Sequence, residues 1–221
     1  RLAARAHGDR LALVAPVLKD SSGRIVSDGI VVCLADGSMR SRRSPRPIPP
    51  GGTQPWLSGA CLALSTDLFE ATGGFDARYF LYWEDVDLCT RVLEVGGELR
   101  VVRDSLATHD EGATHATPDQ GMRAKSDTYY YYNVRNRLLY AALNLDRQTQ
   151  NRWLRTALGA GWEIVMRGGA RQLLITPRPL LTALKATWDG YRLLRKGRAG
   201  TLPDPDAPLP RKGAQVVKSP S

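Results

Sequence analysis

The chain has 221 residues, of which 43% are hydrophobic and 24% charged, a composition that is typical of globular proteins and excludes collagen-like and disulfide-scaffold classes. No run of about 18 uncharged apolar residues occurs, so the sequence predicts no membrane-spanning helix. The net charge of +9 is uneven, since residues 1–150 carry 18 basic and 18 acidic side chains and residues 151–221 carry 13 and 4. The last third is therefore predicted to be a basic appendage that meets an anionic surface.

Short strands separated by turns are predicted over the first 64 residues. Residues 11–18 form a buried apolar run, in which Pro16 favours a sheet edge or a strand end. Two short β segments at 24–26 and 30–34 follow. A Pro-, Gly- and Arg-rich loop is predicted over 40–55, and an apolar strand over 56–64.

Helices and strands alternate from there to about residue 110. A short helix with Asp67 as its N-cap is predicted to end at a pair of glycines. A second helix begins at Asp85 and also ends at paired glycines. A strand at 99–102 leads to His109, which the sequence places in a polar loop.

Only helices are predicted after that point, at 129–145, 151–167 and 179–195. The fold class is therefore α/β followed by C-terminal helices. The predicted parts are an α/β catalytic half, a set of basic amphipathic helices and a disordered tail, over residues 1–120, 121–200 and 201–221.

Three cysteines that lie far apart in apolar stretches predict buried free thiols in a reducing compartment. We therefore expect a cytoplasmic protein, either free or peripheral on the inner face of the plasma membrane. The basic C-terminus contains no recognised nucleic-acid-binding motif, so nucleic acid is not an expected partner.

An acidic cluster at the start of a predicted helix is the main candidate for chemistry. It consists of Glu84, Asp85 and Asp87, and large aromatic residues, Tyr82 and Trp83, precede it. Acidic residues also favour helix N-termini for purely structural reasons, because the helix dipole is positive there. Aromatic side chains beside carboxylates can instead form a sugar-stacking wall and a partly dry pocket.

The order of short motifs resembles the C-terminal part of the catalytic domain of family 2 glycosyltransferases, most closely the bacterial rhamnosyltransferase type. The resemblance covers about residues 11–145. Each motif alone is weak evidence for the family, whereas five motifs in this order are specific evidence for it. The motifs are Ser58-Gly59-Ala60, Gly73-Gly74-Phe75-Asp76, Glu84-Asp85-Val86-Asp87-Leu88, His109 and Arg135-Asn136.

The resemblance implies a GT-A (Rossmann-like) fold and inverting transfer of a sugar from a nucleotide-sugar donor to a glycan or lipid-linked acceptor in cell-envelope polysaccharide synthesis. It implies that Asp85 is the catalytic base, because an acceptor hydroxyl needs a carboxylate to take its proton. It implies that Glu84 helps to place the acceptor or supports Asp85. Asp87 is a substrate-site candidate whose position on the helix favours a structural role. The remaining substrate-binding candidates are Gly59, Ala60, Tyr82, Trp83 and Arg135.

The resemblance also implies a divalent cation, Mg²⁺ or Mn²⁺, that offsets the charge of the nucleoside diphosphate. His109 matches the family's downstream metal ligand, and His115 is a weaker candidate. The acidic D-x-D motif expected upstream of Leu11 is absent, as is the N-terminal β-α-β unit. We therefore expect a chain that begins partway through the domain and is inactive in isolation while its parent protein is active.

Two other functions fit the same residues. One is a non-catalytic, membrane-associated glycan-binding module, and the other is a metal-dependent hydrolase built on the acidic cluster and His109. For the basic helices, the sequence leaves open whether their apolar face packs on the catalytic domain or rests on a membrane. The predicted membrane face carries two tryptophans with neighbouring arginines, namely Trp153, Trp162, Arg152, Arg155, Arg167 and Arg171.

Overall fold

A computed structural model describes residues 2–41, 47–109 and 125–205 of the protein. The described chain is mixed α/β, with two small sheets followed by helices. The strands are β1 (Ala12–Lys19), β2 (Ile25–Ser27), β3 (Ile30–Cys33), β4 (Met39–Ser41), β5 (Thr53–Trp56) and β6 (Glu98–Thr108). The helices are α1 (Leu2–Gly8), α2 (Thr66–Ala71), α3 (Glu84–Glu94), α4 (Asp127–Asn144), α5 (Arg147–Arg155), α6 (Ala157–Met166), α7 (Gln172–Ile175) and α8 (Arg178–Arg198).

The first sheet has the strand order β2-β1-β6, with β1 and β6 parallel. The prediction that Pro16 marks a sheet edge or a strand end is wrong, because β1 is the central strand and continues to Lys19. The sheet accommodates Pro16, which has no N–H to donate, by a register shift between Pro16 and Val17. The second sheet, β4-β3-β5, is antiparallel throughout.

The segment predicted as a strand over 56–64 is mostly irregular. Strand β5 ends at Trp56, and beyond it only a single antiparallel bridge joins Ala63 to Val14. The reason is that the backbone N–H groups of this segment donate to side chains: Leu57 to Cys89 Sγ at 3.3 Å and Gly59 to Asp85 Oδ2 at 2.8 Å. The predicted loop over 40–55 likewise includes strand residues at both ends, while its residues 42–46 lie outside the described chain.

The predicted helices form, with several differences in their bounds, and α1 and α7 are additional helices that the sequence did not predict. The N-cap of α2 is Ser65 rather than Asp67, because the Ser65 hydroxyl accepts from the N–H of Leu68. The single helix predicted over 151–167 is divided at Thr156, whose Oγ1 bonds to the Arg152 carbonyl at 3.2 Å. Helix α8 extends three residues beyond the predicted end.

Helices α4, α6 and α8 form a bundle in which α8 runs parallel to α4 and α6 runs antiparallel to both. Later residues of α8 meet later residues of α4, as in the pairs Gly190–Leu138 and Gly197–Ala142. The α5–α6 segment meets α4 in the opposite order, as in the pairs Trp153–Tyr140 and Gly161–Val134. Over the described residues, every helix is too short or too polar to cross a bilayer.

The strands and the C-terminal helices share one hydrophobic core. Its central side chain is Trp153, which is fully buried, stacks on Tyr140 and donates its indole N–H to the Leu34 carbonyl at 2.9 Å. Of the two positions that the sequence leaves open for Trp153, packing against the rest of the chain is correct and contact with a membrane is wrong. The boundary predicted at residues 120–121 lies outside the described residues, as does the tail beyond 205.

A buried guanidinium links the β3–β4 turn to the helices. Arg137 donates to the carbonyls of Asp36 and Trp153, and its guanidinium lies 4.9 Å from the Trp153 ring centroid. Burial lowers the pKa of Arg137 to about 10, and the negative charges of Asp36 and Glu163 offset this shift only in part. The turn residue Gly37 has a φ of 68°, and a Cβ built there would lie 2.7 Å from Arg137 Nε and 3.0 Å from the Trp153 ring.

We predict that Gly37→Ala destabilises the protein more than Gly23→Ala. Both glycines have positive φ, so both substitutions cost about 1–2 kcal/mol of backbone strain. A Cβ at Gly23 meets nothing within 4 Å, whereas one at Gly37 overlaps the Arg137 side chain. Urea unfolding should show a further loss of about 1–3 kcal/mol for Gly37→Ala. Equal losses for both variants would show that the turn does not pack on Arg137.

Candidate active site

A strained loop precedes the acidic cluster. Phe80, Tyr82 and Trp83 have φ values of 62°, 64° and 74°, in the left-handed region that non-glycine residues rarely occupy. Each such residue costs about 1–3 kcal/mol, so the surrounding structure must hold the loop in place. The strain is located immediately before Glu84, where α3 begins.

The side chain of Asn136 holds this loop. Its Nδ2 lies 2.8 Å from each of three carbonyl oxygens, those of Tyr79, Leu81 and Tyr82. A carboxamide has two N–H groups, so one of them is shared between two carbonyls. Asn136 is fully buried, and water cannot replace these bonds without opening the core. The neighbouring Arg135 donates to the Arg78 carbonyl at 3.0 Å, so α4 fixes the loop at two points.

The aromatic residues of the loop mostly belong to the core. Trp83 is buried, donates from Nε1 to the Asn133 carbonyl at 3.2 Å, and contacts the rings of Tyr140 and Trp153. Tyr82 is half-buried, and its ring packs edge-on against Tyr129. The structure thus gives Trp83 and Arg135 contacts within the protein, and their predicted contacts with substrate stay predictions.

Asp87 is directed into the interior. It accepts from the hydroxyl of Tyr79 at 3.0 Å and from Asn144 Nδ2 at 2.9 Å, and it pairs with Arg91 at 2.7 Å. Burial raises the pKa of Tyr79 well above its usual value, and the adjacent Asp87 charge raises it further. These contacts favour the structural role that the sequence suggested for Asp87 over substrate binding.

Asp85 lies on the opposite side of the first turn of α3, against the Gly59 segment. Its Oδ2 accepts the Gly59 N–H at 2.8 Å, and a Cβ at Gly59 would come within 3.2 Å of the Asp85 Cβ. A larger residue at position 59 would therefore crowd the Asp85 side chain. Burial raises the pKa of Asp85 to about 6; the Gly59 N–H lowers it, and the Glu84 charge adds to the rise. A carboxyl group with this pKa is suited to accept a proton near neutral pH.

Glu84 borders a cleft of about 300 Å³ beside Asp85. Its Oε2 is buried and has no hydrogen-bond partner in the described part of the chain, and burial raises the pKa of this carboxyl. An unsatisfied buried acceptor beside a cleft can receive a hydroxyl from a ligand. Two exposed aromatic rings offer faces for a sugar, and the full lining is Gly59, Phe75, Asp76, Ala77, Phe80 and Glu84.

His109 follows the end of β6, where its N–H donates to the Lys19 carbonyl at 2.7 Å. The antiparallel bridge at Ala63 directs the Gly59 segment toward this same end of β1. Within residues 2–41, 47–109 and 125–205, no three metal-ligating side chains come together. Binding of Mg²⁺ or Mn²⁺ by His109 stays a prediction. His115 lies outside them.

Sequence reasoning identified the carboxylates but not all of the residues that shape the site. The Arg135-Asn136 motif is visible in the sequence, but nothing in the sequence indicates that Asn136 holds the loop. Phe75 lies in the motif at 73–76 and Phe80 in none of the motifs, and the exposure of both rings at the cleft could not be read from sequence. Ala60 is exposed beside Gly59. A larger cleft of about 420 Å³, lined partly by Thr90, Tyr140 and Asn144, contains none of the predicted site residues.

Comparison with known proteins relates the chain to a glycosyltransferase. It is 36% identical over 78 residues to an N-acetylglucosaminyl-diphospho-decaprenol L-rhamnosyltransferase of Mycobacterium tuberculosis, in each of two strains. The match covers 35% of this chain and 25% of the relative's length. No family model matches the chain, and no solved structure matches it significantly. A glycosyltransferase-like relationship is therefore supported over about a third of the chain.

We predict that Asn136→Ala lowers the free energy of unfolding by about 1–3 kcal/mol, because three loop carbonyls lose their buried donor. Urea unfolding measures the loss. Asn151→Ala is the matched control, since Asn151 is exposed and accepts only from Arg198 in the hydrogen bonds described. Its loss should stay within about 0.5 kcal/mol. If the two variants are equally stable, the loop does not depend on Asn136.

We predict that Asp85→Asn gains stability relative to the wild type as pH rises from 4 to 8. The folded protein binds the Asp85 proton more tightly than the unfolded chain, because the pKa rises from 3.8 to about 6 on folding. The wild type therefore loses stability as pH rises through this interval, while an amide does not titrate. Thermal unfolding across this pH range measures the difference. Asp104→Asn, at an exposed carboxylate, should show no comparable trend.

Proposed function

We propose that this chain supplies the acceptor-side part of the active site of an inverting glycosyltransferase. The observation that carries the proposal is the pairing of Asp85 with the Gly59 N–H beside a cleft that Glu84 borders. The 36% identity to a rhamnosyltransferase supports the reaction class. The proposed family is family 2 with a GT-A fold, and the proposed setting is cell-envelope polysaccharide synthesis in the cytoplasm.

Asp85 takes the proton of the acceptor hydroxyl in this proposal. As the proton moves to the Asp85 carboxylate, the acceptor oxygen forms a bond to the anomeric carbon from the face opposite the leaving diphosphate. The bond from that carbon to the diphosphate oxygen breaks with its electron pair, and the configuration inverts. Only one carboxylate is needed, because no covalent glycosyl-enzyme forms. A pKa of about 6 keeps Asp85 ionised at neutral pH yet basic enough to act.

Glu84 and the aromatic rings bind the acceptor in this proposal. The unpartnered Glu84 Oε2 accepts a second acceptor hydroxyl, and Phe75 and Phe80 stack on apolar sugar faces. Because the relative acts on a diphospho-decaprenol-linked sugar, we propose a glycan or lipid-linked acceptor and a nucleotide-sugar donor. Mg²⁺ or Mn²⁺ would offset the diphosphate charge when bound, with His109 as a proposed ligand; no step above depends on it.

Transfer by the natural protein that contains this chain tests the proposal. The assay follows labelled sugar from a panel of nucleotide-sugars to lipid-linked N-acetylglucosamine diphosphate. We predict that Asp85→Asn lowers kcat at least about 100-fold while donor binding by calorimetry is retained. Wild-type kcat/KM should rise with pH and level off above about 6. Asp104→Asn, at an exposed carboxylate, should behave as the wild type.

Two results would contradict the proposal. Transfer by Asp85→Asn at more than about a hundredth of the wild-type rate would show that Asp85 is not the base. Absence of transfer with every donor, together with unchanged glycan binding in the variant, would favour the non-catalytic binding module instead.

A further inference from the structure

We propose that the outer face of α6, α7 and α8 binds the surface of an anionic phospholipid bilayer. This face, called here the C-terminal apolar face, consists of exposed large hydrophobic side chains on three consecutive helices. Single exposed apolar residues are common, but seven within 31 residues of sequence, on three consecutive helices, are an unusual concentration for a surface that meets only water. They are Leu158, Trp162, Leu174, Ile175, Leu181, Leu184 and Trp188.

Helices α6 and α8 pack together so that exposed apolar side chains of both helices lie on the same side of the pair. Gly161 of α6 lies against Ala183 of α8, where an added Cβ would be 3.9 Å away. Trp162 and Leu184 are each the next residue, turned by about 100° from this contact. Because α6 and α8 run antiparallel, the same rotation directs both side chains to the same outer side of the pair. One turn further along α8, Trp188 continues this side.

Helix α7 carries the two most exposed apolar side chains. Leu174 is 89% and Ile175 86% exposed, although Gln172 and Leu173 of the same turn pack inward. Folding of the described chain gains nothing from placing Leu174 and Ile175 in water. Their burial in the interfacial region of a bilayer would recover the hydrophobic free energy that the fold leaves unused.

The positive charge of the C-terminal helices favours an anionic lipid surface as the partner that covers this face. Residues 151–205 contain 10 basic and 3 acidic side chains, and the exposed arginines on or next to the helices of the face include Arg171, Arg192 and Arg195. Basic residues bordering an apolar face complement anionic headgroups, and tryptophan prefers the membrane interface. The face predicted from sequence included Trp153, which is buried, and Arg167, which donates to the Tyr129 hydroxyl. In the structure, Trp188 rather than Trp153 belongs to the C-terminal apolar face.

Intrinsic fluorescence and co-sedimentation with vesicles test the proposal in the chain as it stands. Of its five tryptophans, Trp56, Trp83 and Trp153 are buried, so only Trp162 and Trp188 can enter lipid without unfolding. Vesicles of phosphatidylcholine with phosphatidylglycerol should bind the protein and shift its emission to the blue. Phosphatidylcholine alone should bind it far more weakly, and added salt should weaken binding to the mixed vesicles.

Matched variants separate the face from general surface properties. Leu174→Ser with Ile175→Ser should lower the partition coefficient at least about tenfold, because two apolar side chains no longer enter the lipid. Leu106→Ser is the control, at an exposed leucine of β6. Arg171→Ser with Arg195→Ser should weaken binding more than about tenfold, since each cation near an anionic surface contributes about fivefold. Arg103→Ser, also exposed on β6, should leave binding unchanged.

Three outcomes would overturn the proposal. The first is binding that does not depend on phosphatidylglycerol, and the second is an equal effect of the face variants and the control variants. The third is no binding to vesicles, together with a dimer in solution that the Leu174→Ser and Ile175→Ser substitutions convert to monomers. The last result, seen by light scattering, would assign the face to a second copy of the chain. The proposal goes beyond the transfer reaction. Because it is measured without donor or acceptor, its failure is distinguishable from failure of the proposed glycosyltransferase activity.

Discussion

The carboxamide of Asn136 is the interaction on which the candidate site depends. It holds three carbonyls of a loop in which Phe80, Tyr82 and Trp83 have left-handed backbones. Without this donor the loop would relax toward ordinary φ values, and the start of α3 would move with it. The direction of the Glu84 and Asp85 side chains is thus set by a residue of α4 that touches neither carboxylate in the described contacts.

The same turn of α3 separates two carboxylates into different environments. Asp87 is ion-paired and hydrogen-bonded inside the core, where it joins Tyr79, Arg91 and Asn144. Asp85 accepts the backbone N–H groups of Gly59 and Val86, and its pKa stays at about 6 because these bonds offset its burial only in part. One acidic cluster therefore serves both purposes considered from sequence: a structural helix start and a group suited to accept a proton.

The C-terminal helices also have two sides in different environments, one buried and one exposed. Trp153 and Arg137 anchor them to the strands, so they are part of the same core. Their outer side leaves Trp162 and Trp188 in solvent beside a surplus of positive charge. The C-terminal helices thus pack on the strands through α4 and α5, while α6 and α8 leave large aromatic side chains exposed.

The amino-acid sequence was enough to predict the α/β order, the approximate positions of the long helices, the acidic start of α3 and the glycosyltransferase likeness. These follow from local periodicity, glycine pairs and motif order, which need no tertiary contacts. Three features became visible only in the folded chain: residues 57–64 are irregular, Asn136 holds the loop, and Trp153 is buried while Trp188 is exposed. Those outcomes depend on which distant side chain meets each backbone group or helix face, and local sequence does not encode that choice.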